Sequence, residues 1–194
     1  MSRLILWDVM LQHDFVSSQG KCPVPEAAKA AAVCVALMSA ARAADIPRIA
    51  VLARRRLEDP DIALRGWNHE TTFPPHCLLG TPGAEPIAGA EPVEGDRIVA
   101  PRSFDPFLSP AADSALEALG PATIVVCGLP LEHSVRTSVE GLLARGRSVR
   151  VVEDGVAALK PAAADGLIAS WTARGVEVLP AALALRPPGP AAGP

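Results

Sequence analysis

The sequence is short of several residue types, and each shortage narrows what the chain can be. It has no tyrosine, and aromatic residues occupy only 4% of its 194 positions. Its four cysteines, Cys22, Cys34, Cys77 and Cys127, form no CxxC pair, so neither a zinc knuckle nor a disulfide framework is indicated. The formal net charge of -3 gives no electrostatic case for binding nucleic acid or a membrane surface.

Long hydrophobic runs are also missing. The longest apolar stretch, residues 27–44, contains Lys29 and Arg42, and we interpret it as a buried helix rather than a membrane span. The opening residues, MSRLILWD, reach an acid too soon to form a signal peptide. Together with the isolated cysteines, these features predict a protein of the reducing cytoplasm with no membrane partner.

The apolar runs that are present alternate with helical segments. Strands are predicted at residues 3–7, 47–53, 97–100, 122–127, 148–152 and 176–179, and helices at 25–44, 111–119, 134–145 and 161–173. This alternation predicts a three-layer α/β/α domain with a six-stranded, mostly parallel, Rossmann-like sheet. We assign residues 1–182 to this domain, and the Pro/Gly/Ala-rich residues 183–194 are predicted to form a disordered tail.

Ligands in such folds bind at the carboxyl ends of the strands. Asp8 follows the first apolar run, the region of Arg54 the second, Pro101 the third, and the turn beginning at Gly128 the fourth, so these four strand ends are predicted to converge on one pocket. The long segment 54–96 is a candidate wall of that pocket. Within it, Trp67 either lines the pocket or covers the core.

Four stretches in order carry a family resemblance. They are WDVMLQHDF (residues 7–15), FPPHCLLGTPGAEPI (73–87), FDPF (104–107) and GLPLEHSVRTSVEGLLARG (128–146). With them the chain resembles the isochorismatase-like cysteine hydrolases, the superfamily of nicotinamidases, in the branch whose first motif reads WDVxxQxDF. The resemblance implies an aspartate base after the first strand, a lysine after the third and a nucleophilic cysteine at the helix after the fourth. It also implies an oxyanion site of backbone N–H groups beside a cis peptide bond.

Only part of this machinery is present in the sequence. On the motif, Asp8 takes the place of the aspartate, whereas Pro101 stands at the lysine position and Ser134 at the cysteine position. The cis peptide is expected between Leu129 and Pro130, and proline has no N–H to offer an oxyanion.

A neighbouring cation does not restore the lost function by itself. Arg102 lies beside Pro101, but an arginine cannot shuttle a proton. The aspartate and histidine that metal-using relatives place after the second strand are replaced by the arginines at 54–56, so no catalytic zinc or iron is expected. These arginines form either an anion site or, as we prefer, a solvated cluster paired with nearby acids.

Each remaining residue has a functional and a structural interpretation. Ser134 is either a serine nucleophile or, as we favour, a helix cap acting through its Oγ. Asp8 is either a surviving ligand contact or a carboxylate that bonds loop N–H groups. His76 is expected to make a structural hydrogen bond.

The sequence therefore predicts an isochorismatase-like protein that has lost cysteine-amidohydrolase activity. Such a chain would bind a small molecule, or join a homo-oligomer or a hetero-oligomer with an active relative, without a cofactor. The alternative is a hydrolase of small amides, or of an isochorismate-like vinyl ether, in which Asp8 supplies the proton.

Overall fold

The chain folds around one parallel β-sheet. The computed structural model describes residues 3–59 and 74–187. Within them, six strands stand in the order β3-β2-β1-β4-β5-β6, and every neighbouring pair is parallel. The strands are β1 Leu4–Val9, β2 Arg48–Val51, β3 Arg97–Val99, β4 Thr123–Gly128, β5 Ser148–Val156 and β6 Glu177–Leu179. The predicted α/β architecture is confirmed, with a sheet that is wholly parallel.

Helices connect and flank the strands. They are α1 His13–Val16, α2 Ala27–Ala43, α3 Pro110–Leu119, α4 Arg136–Ala144, α5 Ala164–Ala173 and α6 Ala181–Ala184. Short 3-10 helices span Pro82–Ala84, Pro106–Leu108 and Pro161–Ala163, and a π-helical turn spans Leu131–Val135. The part of the chain that the structure describes contains no helix long and apolar enough to cross a membrane.

The core forms where the central strands are covered on both sides. Every residue of β1 and β4 is buried, as near-continuous apolar runs in parallel sheets require. Helix α2 is rich in alanine and packs closely against β5, β4 and β1. The parallel ladder between β1 and β4 places their carboxyl ends side by side, with Val9 opposite Gly128.

Two boundaries differ from the prediction in ways that matter for the site. Strand β1 continues to Val9, so Asp8 lies inside the strand rather than at its tip. The chain beyond residue 182 is also more ordered than expected, because α6 extends to Ala184, which is fully buried. Arg150 donates hydrogen bonds to the carbonyl oxygens of Ala184 (3.2 Å) and Arg186 (2.5 Å) and so fastens this segment to β5. The last seven residues of the predicted tail lie outside the described residues.

Candidate functional site

Ser134 lies where β4 leads into helix α4, at the carboxyl edge of the sheet. It is fully buried within the π-helical turn Leu131–Val135. Its Oγ donates to Met10 Sδ at 3.0 Å, and its carbonyl oxygen accepts from Ser138 Oγ at 2.7 Å. Helix α4 begins two residues later, and its N-cap residue, Val135, makes no side-chain cap. The prediction that Ser134 caps the helix through its Oγ is therefore wrong.

Met10 is the residue that the site places beside the Ser134 hydroxyl. It is fully buried and has a left-handed backbone with φ of 52°. The resemblance implies a base directly after the first strand, and because β1 ends at Val9, that position is occupied by Met10. Sequence reasoning missed it because it took the strand to end two residues earlier. A thioether sulfur is only a weak hydrogen-bond acceptor, so this contact supplies no base.

Asp8 is bound by a different partner, the side chain of Arg48. Arg48, at the start of β2, binds both of its carboxylate oxygens, with Nε–Oδ2 at 2.6 Å and Nη2–Oδ1 at 3.1 Å. Arg48 also donates to Asp96 Oδ2 at 2.8 Å and to the carbonyl oxygens of Ala90 and Glu91. Neither sequence interpretation anticipated this arrangement, since Asp8 bonds an arginine side chain rather than loop N–H groups.

Asp8 and Arg48 have the electrostatics of a structural ion pair. Burial raises the pKa of the Asp8 carboxyl, while the hydrogen bonds and charge of Arg48 oppose that rise. A buried charge is tolerated only with a partner of this kind. Asp8 consequently joins β1 to β2 and to the segment before β3, with both of its oxygens already engaged.

Pro101 and Arg102 follow β3 at the predicted lysine position. Pro101 is buried, whereas the Arg102 side chain is 60% exposed and is bound to Asp59 through Nε at 2.6 Å and through Nη2. Although burial opposes it, the hydrogen bond from Arg102 holds the pKa of the Asp59 carboxyl below its usual range. Arg102 thus tethers the segment after β2 to the segment after β3.

The peptide bond between Leu129 and Pro130 is cis. Both residues are buried at the end of β4. The carbonyl oxygen of Pro130 accepts from the N–H groups of Val135 (3.2 Å) and His133 (3.3 Å), which closes the π-helical turn. The carbonyl oxygen of Pro130 therefore accepts the hydrogen bonds that hold the turn carrying Ser134.

Arg55, Phe104 and His133 form a stack beside Ser134, here called the site stack. They come from the segments after β2, β3 and β4. The guanidinium carbon of Arg55 lies 4.1 Å from the centre of the Phe104 ring, and the His133 ring stacks on Phe104 at 5.4 Å. Thr137 Oγ1 ties the stack to the site by donating to the carbonyl oxygens of Phe104 and Ser134.

His76 supports the site stack by accepting a hydrogen bond from Arg55. Its Nε2 accepts from Arg55 Nη1 at 3.0 Å, and its Nδ1 donates to the carbonyl oxygen of Pro74 at 3.1 Å, an assignment that follows from arginine being a pure donor. The structural role predicted for His76 is confirmed. Arg55 is only 2% exposed, so the preferred interpretation of a fully solvated arginine cluster is wrong for this residue. Trp67, the other candidate of the long segment, lies outside the described residues.

Gln12 and Asp14 are two supporting residues that sequence reasoning did not single out. The Gln12 amide donates to the carbonyl oxygens of Ala53 and Ala84, and its oxygen accepts from the Ala53 N–H at 2.7 Å. The Asp14 carboxylate accepts from the N–H groups of Lys21 and Cys77. The QxDF part of the first motif was the available signal, since these side chains clamp the loops around the site.

The described residues were also searched for side chains that could hold a metal ion together. Residues 3–59 and 74–187 contain no group of three or more His, Cys, Asp or Glu side chains arranged to hold a metal ion. All four cysteines are free and buried, and Cys127 lies within β4.

A comparison with models of protein families shows to which family the chain belongs. The model of the isochorismatase domain matches residues 2–182. The chain belongs to the isochorismatase family. Among curated protein sequences, none matches it significantly.

Solved structures place this family member beside both isochorismatase-like proteins and amidases. An isochorismatase family protein from Desulfovibrio vulgaris is 26% identical, with a TM-score of 0.83 over 94% of this chain and 96% of that one. N-carbamoylsarcosine amidase from Thermoplasma acidophilum is 25% identical, with a TM-score of 0.80 over 96% and 99% of the chains. Pyrazinamidase of Pyrococcus horikoshii, solved with zinc, shares the fold at 22% identity, with a TM-score of 0.81 over 92% and 99%.

Proposed function

We propose that this isochorismatase-family chain has lost cysteine-amidohydrolase activity and acts as a ligand-binding or partner subunit. The observation that carries the proposal is the 3.0 Å contact between Ser134 Oγ and Met10 Sδ. A serine hydroxyl is a weak nucleophile until an adjacent base takes its proton. Because a thioether cannot serve as that base, the contact leaves the hydroxyl inactive.

The charge at the site supports the same conclusion. The position at which the resemblance implies a lysine holds Pro101, and the chain's three lysines all lie elsewhere in the sequence. The adjacent Arg102 is bound to Asp59 and keeps its proton at any working pH. An alkoxide forming at Ser134 would therefore lack a lysine ammonium, and the Arg55 guanidinium of the site stack is directed to His76 and the Phe104 ring.

The oxyanion donors are reduced as well. Proline has no N–H, so residue 130 cannot stabilise a tetrahedral intermediate as the resemblance implies for that position. Loss of one such donor costs about 2.7–4 kcal/mol of transition-state stabilisation in a well-characterised hydrolase. Three separate changes around one hydroxyl thus act in the same direction.

A retained binding role is supported by the site stack. Arg55, Phe104 and His133 lie at the carboxyl edge of the sheet, where α/β folds bind their ligands. Phe104 and His133 are half-buried there, whereas Arg55 is buried, so the two rings are the part of the stack that a small molecule would contact. The alternative, a hydrolase using Asp8, has less support, because Arg48 binds both oxygens of that carboxylate.

The proposal is tested by assaying the purified chain on nicotinamide, N-carbamoylsarcosine and isochorismate. We expect no turnover above that of Ser134→Ala and Asp8→Asn, which serve as matched controls. Amide turnover that disappears in Ser134→Ala would overturn it. Isochorismate turnover that disappears in Asp8→Asn would do the same, provided that circular dichroism shows this variant to be folded, because the substitution also alters the buried pair with Arg48. Binding of the same compounds is followed by calorimetry.

Variants that introduce the expected catalytic residues test whether Met10 stands at the position of the base. We compare Pro101→Lys/Ser134→Cys with the same pair carrying Met10→Asp. If Met10 stands at the base position, only the triple variant gains amidase activity. Equal gain in the double variant would show that Asp8 serves as the base and would contradict the assignment of Met10.

A further inference from the structure

Two cysteines from distant parts of the chain meet at one glycine of β5. The register of the ladder between β4 and β5 shifts between Val126 and Gly128, which places Cys127 opposite an irregular part of β5 that contains Gly155. A Cβ built at Gly155 would lie 3.4 Å from the Cys127 Cβ. From α2, Cys34 Sγ donates a hydrogen bond to the Gly155 carbonyl oxygen at 3.1 Å. Helix α2 and strand β4 therefore direct their cysteine side chains to the same place in the core.

The thiols of Cys34 and Cys127 are in contact with each other there. Both residues are fully buried. The hydrogen bond with Cys34, together with burial, raises the pKa of the Cys127 thiol well above its usual value. Two neighbouring sulfur atoms, one on a helix and one on the strand that it covers, can be joined by rotation of the side chains about their Cα–Cβ bonds. The pair therefore has the arrangement from which a disulfide forms.

The other two cysteines are arranged differently. The N–H groups of Cys22 and Cys77 both donate to Asp14, one to its carbonyl oxygen and the other to its carboxylate. The Cys77 thiol is directed to the Gly83 carbonyl oxygen, at 3.8 Å. Burial, rather than a hydrogen bond with Cys22, raises the pKa of Cys77. These two cysteines provide an internal control for the pairing of Cys34 with Cys127.

We propose that Cys34 and Cys127 are a redox-sensitive pair, which a low-molecular-weight disulfide converts into a cross-link between α2 and β4. One cysteine, as its thiolate, attacks the S–S bond of the oxidant, forms a mixed disulfide and releases one reduced thiol. The second thiolate attacks the cysteine sulfur of the mixed disulfide, forms the protein S–S bond and releases the second reduced thiol. Two electrons pass to the oxidant, and the two cysteine protons are taken up by its thiols.

Burial determines when this exchange takes place. Since both thiols are shielded from solvent, the oxidant reaches them while the chain opens or before it has folded. The bond then joins α2 to the strand whose last residue, Gly128, leads into the turn that carries Ser134. It also closes a long loop of the unfolded chain, which makes the oxidised protein harder to unfold.

Refolding in a glutathione redox buffer tests the proposal. The wild-type chain is unfolded in urea and diluted into reduced and oxidised glutathione. The remaining thiols are blocked with N-ethylmaleimide, and the disulfides are mapped by mass spectrometry after proteolysis. We expect the Cys34–Cys127 bond in about tenfold excess over any other pairing, because the fold determines which sulfur atoms meet. The urea midpoint of the oxidised chain should lie above that of the same chain reduced with dithiothreitol.

Two variants assign that shift in the urea midpoint to the proposed bond. Cys22→Ser/Cys77→Ser keeps the pair and is expected to show the same shift as the wild-type chain. Cys34→Ala removes one partner and is expected to show none. Circular dichroism establishes that the oxidised chain and both variants are folded, and the mapping of the wild-type chain does not depend on either variant.

Several results would overturn the proposal. They are a refolded chain in which Cys34 and Cys127 remain reduced, a bond between Cys22 and Cys77 in equal yield, an oxidised chain that is unfolded, or a urea midpoint that oxidation leaves unchanged. None of these results depends on whether the chain hydrolyses an amide, so the outcome is independent of the proposed function.

Discussion

At the scale of single residues, His76 shows how burial and one neighbour fix a charge state. Its imidazole is 5% exposed and accepts a hydrogen bond from Arg55. Burial, together with the positive charge of Arg55, lowers the pKa of His76 from 6.5 to about 4. The ring is therefore neutral at physiological pH and serves as an acceptor that positions the guanidinium of the site stack.

The lowered pKa of His76 predicts a loss of stability in acid. The unfolded chain binds a proton to this ring near its ordinary pKa, and the folded chain does so only near pH 4. The stabilising contribution is therefore complete above about pH 6.5 and is lost as the pH falls toward about 4, by roughly 3 kcal/mol. Urea unfolding of wild type and His76→Gln at several pH values measures it. The difference in unfolding free energy between the two should shrink toward acid, and a constant difference would contradict the prediction.

Asp8 illustrates which residue-level features the sequence could not supply. Its place after an apolar run suggested a strand tip, but the run continues through Val9, and alternation then turns its side chain onto a face of the sheet. Its partner Arg48 lies 40 positions away, and nothing local in the sequence links the two. The assignment of Pro101 and Ser134 to the lysine and cysteine positions, in contrast, came directly from the motif spacing, and it stays a prediction.

At the scale of elements, the close approach of β1 and β4 positions Met10 and Ser134. Gly128, the last residue of β4, has φ of 120°, and a Cβ placed there would lie 2.1 Å from the Val9 carbonyl oxygen. The two strand ends therefore meet through bare backbone. Any side chain at Gly128 would separate the ends and move the turn that carries Ser134.

This contact predicts a large penalty for Gly128→Ala. Backbone strain and the clash with Val9 act together, so the unfolding free energy should fall by about 3 kcal/mol or more. Gly146→Ala is the matched control, since Gly146 also has a positive φ, of 65°, but has open space around it. It should cost only about 1–2 kcal/mol. Urea denaturation compares the two, and equal losses would show that strain alone matters.

The π-helical turn shows why element types were easier to predict than element ends. A helix after β4 followed from the sequence, yet it begins at Leu131 as a wide turn rather than at Ser134 with a cap. The turn closes through N–H groups bonded to the Pro130 carbonyl, and its first residue, Leu131, donates its N–H to the carbonyl oxygen of Ala157, the residue after β5, at 2.9 Å. Propensity alone does not encode such a long-range contact.

At the scale of the whole molecule, the sheet and the family were the parts best specified by sequence. Apolar runs fixed five of the six strands to within a few residues, whereas β5 extends further, to Val156. The site was harder, because it depends on contacts among segments after β1, β2, β3 and β4. The buried Arg55 and the Met10–Ser134 contact arise only when these segments are brought together.

The reactivity of the four cysteine thiols measures how far the folded chain opens to solvent. Cys34 and Cys127 are fully buried between α2 and β4, and Cys22 and Cys77 are buried under the loops around Asp14. Burial raises the pKa of the Cys22 thiol to about 12 and that of Cys77 further, so little reactive thiolate exists in the native state. Reaction with a disulfide reagent therefore requires the chain to open.

We expect the native chain to resist Ellman's reagent while the urea-unfolded chain exposes four reactive thiols. Cys22 and Cys77 should react first, because a loop opens at lower cost than the core, and the Cys34 and Cys127 thiols should follow at the rate of global unfolding. Cys22→Ser/Cys77→Ser isolates the slow pair, and Leu108→Cys provides an exposed thiol that reacts at once. If Cys34 and Cys127 reacted rapidly in the native chain, α2 would have to separate from β4 without global unfolding. That result would contradict the expectation that the core unfolds as a single cooperative unit.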